Sequence, residues 1–536
     1  MKKSLIDFVQ KHASLLLTLV FGLSVFCFWW HRYPYALTYQ EQFQLFMFDG
    51  DYFCSRMAEP GGLARYVAEC LVQFYNSVVI GAAILAVLYM LLQRLTWRLM
   101  RTDSHYALSF IPSVVLWYAM GDESVLLTYA VALLMALTVA WCWNSRSAKW
   151  AQWVKWLVAL LLIPVLYWLI GPVVLLVALL MAPWTMAVAG VIYSLALIML
   201  SAHFLPFPMM RLMLGIGYYR FPVTLPYLLA VILVVICLLA YLANKLPKAK
   251  SWVNVAEVVL VLIVLVGLVD LGYDKKKYEL IEYDYLVRVR DWNAIIAKAE
   301  KQTPDLPMSV SATNLALAMT NQLGDRAFDF YQRGTEGLLP LFERNFATTQ
   351  LTGEIYFHLG LVNTAQRFAF EAMEAIPNYN KSARVVKRLA ETNLINGQYK
   401  VAEKYLRMLE KTVFYRPWAQ RTLAMLGDEK AINAHPLYGT LRRYRLQEDF
   451  LFSDTELDRI CGQLFMHDHQ NQMAAQYLLM IPLLEKDVPR FMQYAQYVQS
   501  QTRYNPRSCQ EAIAFGFMQQ RQQSPQGLVS PLVLQQ

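Results

Sequence analysis

Residues 154–204 read VKWLVALLLIPVLYWLIGPVVLLVALLMAPWTMAVAGVIYSLALIMLSAHF, with Lys155 as the one Lys, Arg, Asp or Glu in the run. A stretch this apolar belongs in hydrocarbon, where a helix closes its own backbone hydrogen bonds and about 20 residues make one crossing. Gly171-Pro172 and Ala182-Pro183 interrupt the stretch, so it reads as three crossings, 154–170, 173–187 and 188–204. Similar runs lie near 14–30, 77–93, 106–120, 124–143, 224–243 and 253–272, giving about nine spans. The fold class is therefore all-α, a polytopic transmembrane bundle.

Composition supports a division in two. The chain is 57% hydrophobic and 16% charged, against roughly 25% charged residues in soluble domains. The apolar residues crowd into 1–273, and 274–520 has the composition of a soluble domain. The tail 521–536, rich in Gln, Ser and Pro, reads as loosely held. Lys2, Lys3 and Lys11 precede the first apolar run as in a secretory signal, but the run ends in Phe28-Trp29-Trp30 with no small-residue cleavage site. Those tryptophans suit an interfacial belt, so the segment reads as a retained span.

Lys and Arg in short connections set orientation. With the N-terminus inside, Lys2, Lys3 and Lys11, then Arg94, Arg98 and Arg101, then Arg146, Lys149 and Lys155, then Lys245, Lys248 and Lys250 all fall on the inner side. A tight turn at 187–188 is the one inner connection without them. The outer connections are 31–76, 121–123, 171–172 and 205–223, and Lys275-Lys276-Lys277 lies outside against the rule. This places the chain in a bacterial cytoplasmic membrane with residues 274–520 in the periplasm, and the formal charge of +9 reports topology with no need for nucleic acid. The seven cysteines form no CxxC or metal-like spacing. Cys461 and Cys509 face an oxidising space, either paired or as buried thiols.

The soluble half carries amphipathic helices with Gly or Pro at the turns. In GEIYFHLGLVNTAQRFAFEAMEAIP (353–377), Gly353, Tyr356, Gly360, Ala365, Ala372 and Pro377 fall at tetratricopeptide offsets, where small residues let two helices pack and proline ends the second. The next stretch repeats the pattern with Ala390, Gly397, Ala402 and Leu409. Weaker copies lie at 312–333 and 472–499, and 283–301 reads as a first hairpin. Residues 285–505 thus resemble a tetratricopeptide-type α-solenoid, which implies a concave surface for a protein or peptide partner. A helical domain that merely covers the membrane half is the plainer alternative.

The candidate chemistry lies on the outer side. FDGDYF (48–53) puts Asp49 and Asp51 in the longest connection, and Asp122-Glu123 occupies the turn in WYAMGDESVLL. Carboxylates beside a bilayer are costly unless used or paired. After Pro60-Gly61-Gly62, residues 63–75 read as a surface helix with Leu63, Val67, Leu71 and Phe74 on its apolar face and Arg65 and Glu69 opposite. Cations on this side are Arg32, Arg56, Arg65, Arg211 and Arg220. Pro206, Pro208, Pro222, Gly215 and Gly217 forbid a straight span over 203–222, which reads as a re-entrant loop presenting Arg211 and Arg220 to a lipid-linked phosphate. His203 is a further polar candidate there. Phe46, Phe48, Tyr52 and Phe53 could raise a carboxyl pKa and stack on a sugar ring.

This layout resembles the GT-C superfamily of membrane glycosyltransferases, including protein O-mannosyltransferases and oligosaccharyltransferases. The chain also looks like an uncharacterised family of bacterial multi-pass proteins with a C-terminal repeat domain. The GT-C resemblance implies transfer of a sugar from a polyprenyl-phosphate-linked donor, with Asp49 or Asp51 as the first-loop acid and Asp122 or Glu123 as the acid between the third and fourth spans. Arg56, His203, Arg211, Arg220 and Tyr52 would bind substrate. No cofactor is required, although a divalent cation is compatible.

Simpler readings exist for each feature. The DGD acids suit a solvated turn or helix cap, Asp122-Glu123 an N-terminal cap, and the arginines lipid headgroups. The chain lacks GxxxxGK[ST], HExxH and GxSxG. Transport is a weaker fit, because only Glu257 and Asp270 fall in a span and no internal repeat is seen. The main alternative is a non-enzymatic membrane-anchored scaffold that recruits partners to a cell-envelope assembly.

Overall fold

The computed structural model describes residues 2–102, 104–220, 227–248, 251–272, 274–341, 346–376, 380–446, 456–519 and 529–534. Pro222, Lys250, Pro377 and residues 521–528 of the tail lie outside the described residues, as do the side chains of Lys2, Lys3, Lys11 and Asp270. The chain is helical, and among the described residues β-structure is confined to isolated bridges. It divides into two units, Met1–Tyr278 and Glu279–Gln536. The division falls inside the helix Lys275–Val289, a few residues beyond the expected boundary at 273/274.

The first unit contains helices α1 (Lys2–Cys27), α2 (Pro34–Glu41), α3 (Gly50–Met57), α4 (Gly62–Val72), α5 (Val78–Met100), α6 (Ile111–Ala119), α7 (Leu127–Arg146), α8 (Gln152–Ile170), α9 (Val174–Leu179), α10 (Trp184–Ser201), α11 (Met209–Leu214), α12 (Tyr227–Leu242) and α13 (Ser251–Leu271). Among the described residues, six segments are long and apolar enough to cross a membrane: Ala13–Arg32, Val78–Met100, Leu127–Lys149, Gln152–Leu179, Trp184–Ser201 and Tyr227–Lys245. Tyr106–Ala119 and Trp252–Leu268 are apolar but shorter. Leu161, Ile192, Val234 and Ile263 are exposed on these helices, as a lipid-facing surface requires.

The expected pair of spans 173–187 and 188–204 is redrawn. No turn occurs at 187–188, since both residues lie inside α10, whose N-cap is Pro183. Proline suits a helix start because its missing N–H has no partner there anyway. What precedes it is the short α9, with Val174, Leu176, Val177 and Ala178 buried. Its exit is anchored where Leu180 O accepts from Asn144 Nδ2 at 3.1 Å. So short a leg survives because surrounding protein shields its irregular ends from lipid.

Hydrogen bonds show which connections share an end of this bundle. Gly61 N–H donates to Trp168 O (2.9 Å) and Leu126 N–H to Tyr218 O (3.0 Å). Trp168 Nε1 donates to Met57 O (2.8 Å), and the Tyr218 hydroxyl reaches Ile170 O. The stretches 31–76, 121–126, 168–171, 201–220 and 272–278 therefore form one end, here the loop end, as the alternation of spans predicts. Elsewhere His105 Nδ1 lies 2.5 Å from Glu257 Oε1, and its Nε2 lies 2.9 Å from Pro247 O.

In the second unit, Phe346–Leu359 pairs with Val362–Glu374 and Ala383–Ile395 with Tyr399–Glu410, each next to the following pair. Ala365, Ala372, Ala390, Ala402 and Leu409 are buried in these contacts. Gly360 and Gly397 take left-handed φ values of +98° and +75°, where a side chain would be strained. Leu457–His467, Gln472–Leu484 and Val488–Gln501 pack successively. The stretch 312–333 departs from a hairpin: after Pro307–Met319 its second helix is only Leu323–Arg326, followed by a single 3₁₀ turn. Cys461 and Cys509 are free, buried thiols.

Candidate functional site

The loop end holds a layer of buried charge. It begins on α4, where the observed burial corrects the expected orientation. Ala64, Arg65, Ala68, Glu69 and Val72 are buried, while Leu63, Val67 and Leu71 are only half-buried. The face expected to meet water is the inward one. It can be buried because its charges are paired: Glu69 accepts from Arg56 Nε at 2.7 Å, Arg65 Nε at 3.0 Å and the Tyr52 hydroxyl at 2.6 Å. Arg65 Nη1 also reaches Glu59 Oε2 at 2.7 Å. Burial alone would raise the Glu69 carboxyl, but Arg65 and then Arg56 overcome it and hold the group below its ordinary value.

The DGD acids serve α3. Asp49 is its N-cap residue, with its carbonyl accepting from Phe53 N–H at 3.1 Å. Asp51 is exposed in the first turn, where the helix dipole favours an acid. Tyr52 and Arg56, expected to bind substrate, are engaged with Glu69, and the Arg56 guanidinium lies 4.6 Å from the Tyr52 ring centroid. Phe46 packs on Phe48, Tyr52 and Tyr66, with centroids 5.0–5.3 Å apart. Of this group, Phe48 and Phe53 remain exposed.

The second acid pair meets the 203–222 segment. Leaving α10, the chain forms α11 and turns at Gly215, with φ +93°. It then lies antiparallel to the Asp122 turn through a Val125–Tyr219 bridge and an Arg220 N–H to Ser124 O bond of 2.7 Å. Asp122 Oδ1 accepts from Ser124 N–H at 2.9 Å, closing a tight turn, and Oδ2 accepts from the Tyr219 hydroxyl at 3.1 Å. Glu123 pairs with Lys277. Arg220 is 4% exposed, and its guanidinium carbon lies 3.4 Å from the Phe43 centroid. Burial lowers its pKa to about 10, opposed by Tyr39, Glu123 and Asp122. It stays cationic at neutral pH, and its Nη1 meets no acceptor among the described residues.

Arg211 is half-buried on α11. Burial, then the neighbouring charge of Arg65, lowers its pKa, and Glu59 opposes them. Gly217, on the same segment, leaves room for Arg65: a Cβ there would sit 3.3 Å from Arg65 Cδ. The segment 211–220 thus has Arg65 and Glu59 near one part and Asp122 and Glu123 beside the other. His203 is exposed, with Nδ1 3.1 Å from Met199 O at the end of α10.

The structure therefore brings Arg220 to Asp122-Glu123 and Arg211 to Arg65, while Asp49 and Asp51 sit at the start of α3. Glu59, Glu69, Tyr219 and Phe43 were missed as site members. Arg65 and Glu69 are spaced i,i+4, an ion-pair signal visible in sequence, but the alternation of polarity hides which face is inward. Chemically, the layer offers a buried guanidinium beside two carboxylates, suited to a phosphate or another anion. Among the described residues, no group of three or more His, Cys, Asp or Glu could hold a metal ion.

Residues 9–536 match a family of unknown function, DUF6057. The chain belongs to it. No curated protein and no solved structure matches the sequence.

Proposed function

We propose that the chain is a membrane transferase of glycosyltransferase type, acting on a polyprenyl-phosphate-linked sugar at the loop end of the bundle. One observation carries the reading: Arg220 is a buried cation with Nη1 open among the described residues, set beside Asp122 and Glu123. Ionisable groups at this depth are expensive to maintain without a use. In this reading Arg220, with Arg211, neutralises the leaving phosphate. Asp122 takes the acceptor proton, since among the described residues its Oδ2 accepts a single 3.1 Å bond, from Tyr219. The loop end faces the periplasm of a bacterial cytoplasmic membrane, following the Lys and Arg bias, and the second unit is a tetratricopeptide-like recruiting platform.

The scaffold reading is favoured by a different observation, the pairing of Glu123 with Lys277 and of Glu69 with two arginines. Charges closed on each other stabilise without reacting. Transfer assays in proteoliposomes with radiolabelled polyprenyl-phosphate sugars separate the two. The transferase reading expects turnover in wild type and its loss in Asp122→Asn and Arg220→Ala at normal abundance. Absence of turnover with every donor, or turnover untouched by both variants, supports the scaffold.

A further inference from the structure

The second unit carries a preorganised polar groove independent of the charged layer. It has a volume of about 430 Å³, within the range of small-molecule sites. Three pieces build it: Asn321 and Asp325, in the turn after Pro307–Met319 and the short helix Leu323–Arg326; the start of Gln472–Leu484; and the 502–506 loop between Val488–Gln501 and Arg507–Gln519. Loops of this kind are ordinarily mobile, but this one is fixed from several sides. Pro506 and the Tyr504 ring seat directly on Gly324, where any Cβ would collide with Pro506. Asp325 Oδ1 accepts from Arg507 N–H at 2.8 Å, and Gln510 Nε2 donates to Asn505 O at 2.9 Å. Behind the groove, Gln476 Nε2 donates to Ala318 O at 3.0 Å and its Oε1 accepts from Leu323 N–H at 3.3 Å.

The walls have their polar groups to spare. Asn321 sits in a left-handed turn at φ +60°, and Asn321, Gln472 and Arg503 are exposed. Among the described residues, none of these three side chains makes a hydrogen bond. Asp325 keeps a second carboxylate oxygen. The groove thus presents amide donors and acceptors, one acid, one guanidinium and the half-buried ring of Tyr504. Its charges cancel, and its lining is mainly polar.

We propose that this groove binds a neutral saccharide. Amides donate to and accept from neighbouring hydroxyls on one sugar face, the carboxylate accepts from them, and the Tyr504 ring takes the other face. Because the loop is already held, little ordering cost opposes binding. The inference does not depend on the transferase reading, as it concerns another unit.

The test uses full-length protein in nanodiscs and saturation-transfer NMR with cellobiose, maltose and chitobiose, followed by titration. At least one disaccharide should bind. Asn321→Gly, which keeps the turn and removes the amide, and Gln472→Ala should each weaken binding about three- to tenfold, one hydrogen bond each. Melting temperatures of both variants should match wild type. No binding by any of the three, binding unchanged in both variants, or displacement by the tripeptide Ala-Gly-Ser would overturn the proposal.

Discussion

Replacing Glu69 tests whether α4 is held by its buried charges. In Glu69→Leu, Arg65 keeps Glu59 at 2.7 Å, so the loss falls mainly on Arg56, which gives up its 2.7 Å ion pair while its contacts to Tyr52 remain. Stranding one partner of a buried ion pair costs about 3–5 kcal/mol, whereas replacing both partners with apolar groups is often neutral. The double variant Arg56→Met/Glu69→Leu should therefore recover about 2 kcal/mol or more of what Glu69→Leu loses. In Glu69→Gln the one amide oxygen can accept on one side only and the NH2 faces a donor on the other, so at least one bond to a guanidinium is lost, at a cost of about 2–3 kcal/mol. The assay is reversible unfolding in mixed micelles, followed by tryptophan fluorescence and run as a double-mutant cycle. The sign with pH is fixed: the Glu69 pKa is depressed on folding, so its contribution is present above the ordinary value of 4.5 and is lost as pH falls through the folded value. A loss below 1 kcal/mol in Glu69→Leu, or no recovery in the double variant, would refute the argument.

Other predictions follow from the same structure. His105 is bonded through both ring nitrogens, and its pKa is raised chiefly by the bond to Glu257. Its stabilisation should be complete below about pH 6.5, the unperturbed value, and fall as pH rises through the folded value; melting temperature against pH in wild type and His105→Gln checks this. In the second unit, Arg388 pairs with Glu354 at 2.5 Å, so Arg388→Ala should cost about 3–5 kcal/mol by urea unfolding. Burial would raise Glu354, but Arg388, Arg384 and His358 hold it at about 2, so its contribution should be lost as pH falls from 4.5 toward 2. Gly324→Ala should cost about 1–3 kcal/mol through overpacking against Pro506 and Tyr504, read as a lower melting temperature.

The sequence showed the membrane half through run length and the shared loop end through alternation, since both depend on hydrophobicity alone. It also showed the Gly360 and Gly397 turns, because a left-handed residue between helices selects glycine. It misplaced what depends on partners. The break before α10 falls at Pro183, set by a missing N–H, although apolar runs on both sides look continuous. Arg65 and Glu69 look like a wet face until Arg56, Tyr52 and Glu59 surround them, and those contacts come from a neighbouring helix and the turn before α4. Asp49 and Asp51 stand at the start of α3, a placement that a short motif does not reveal. Arg220 was legible as a cation on a bent segment, while its pairing with the Asp122 turn required the antiparallel bridge at Tyr219.

The most direct measurement is binding of polyprenyl monophosphate to full-length protein by native mass spectrometry, comparing wild type with Arg220→Ala. If the buried guanidinium at the Asp122 turn receives phosphate, wild type retains the lipid and the variant loses at least tenfold in affinity at unchanged fold. Equal retention by both proteins, or none by wild type, would contradict the loop-end site.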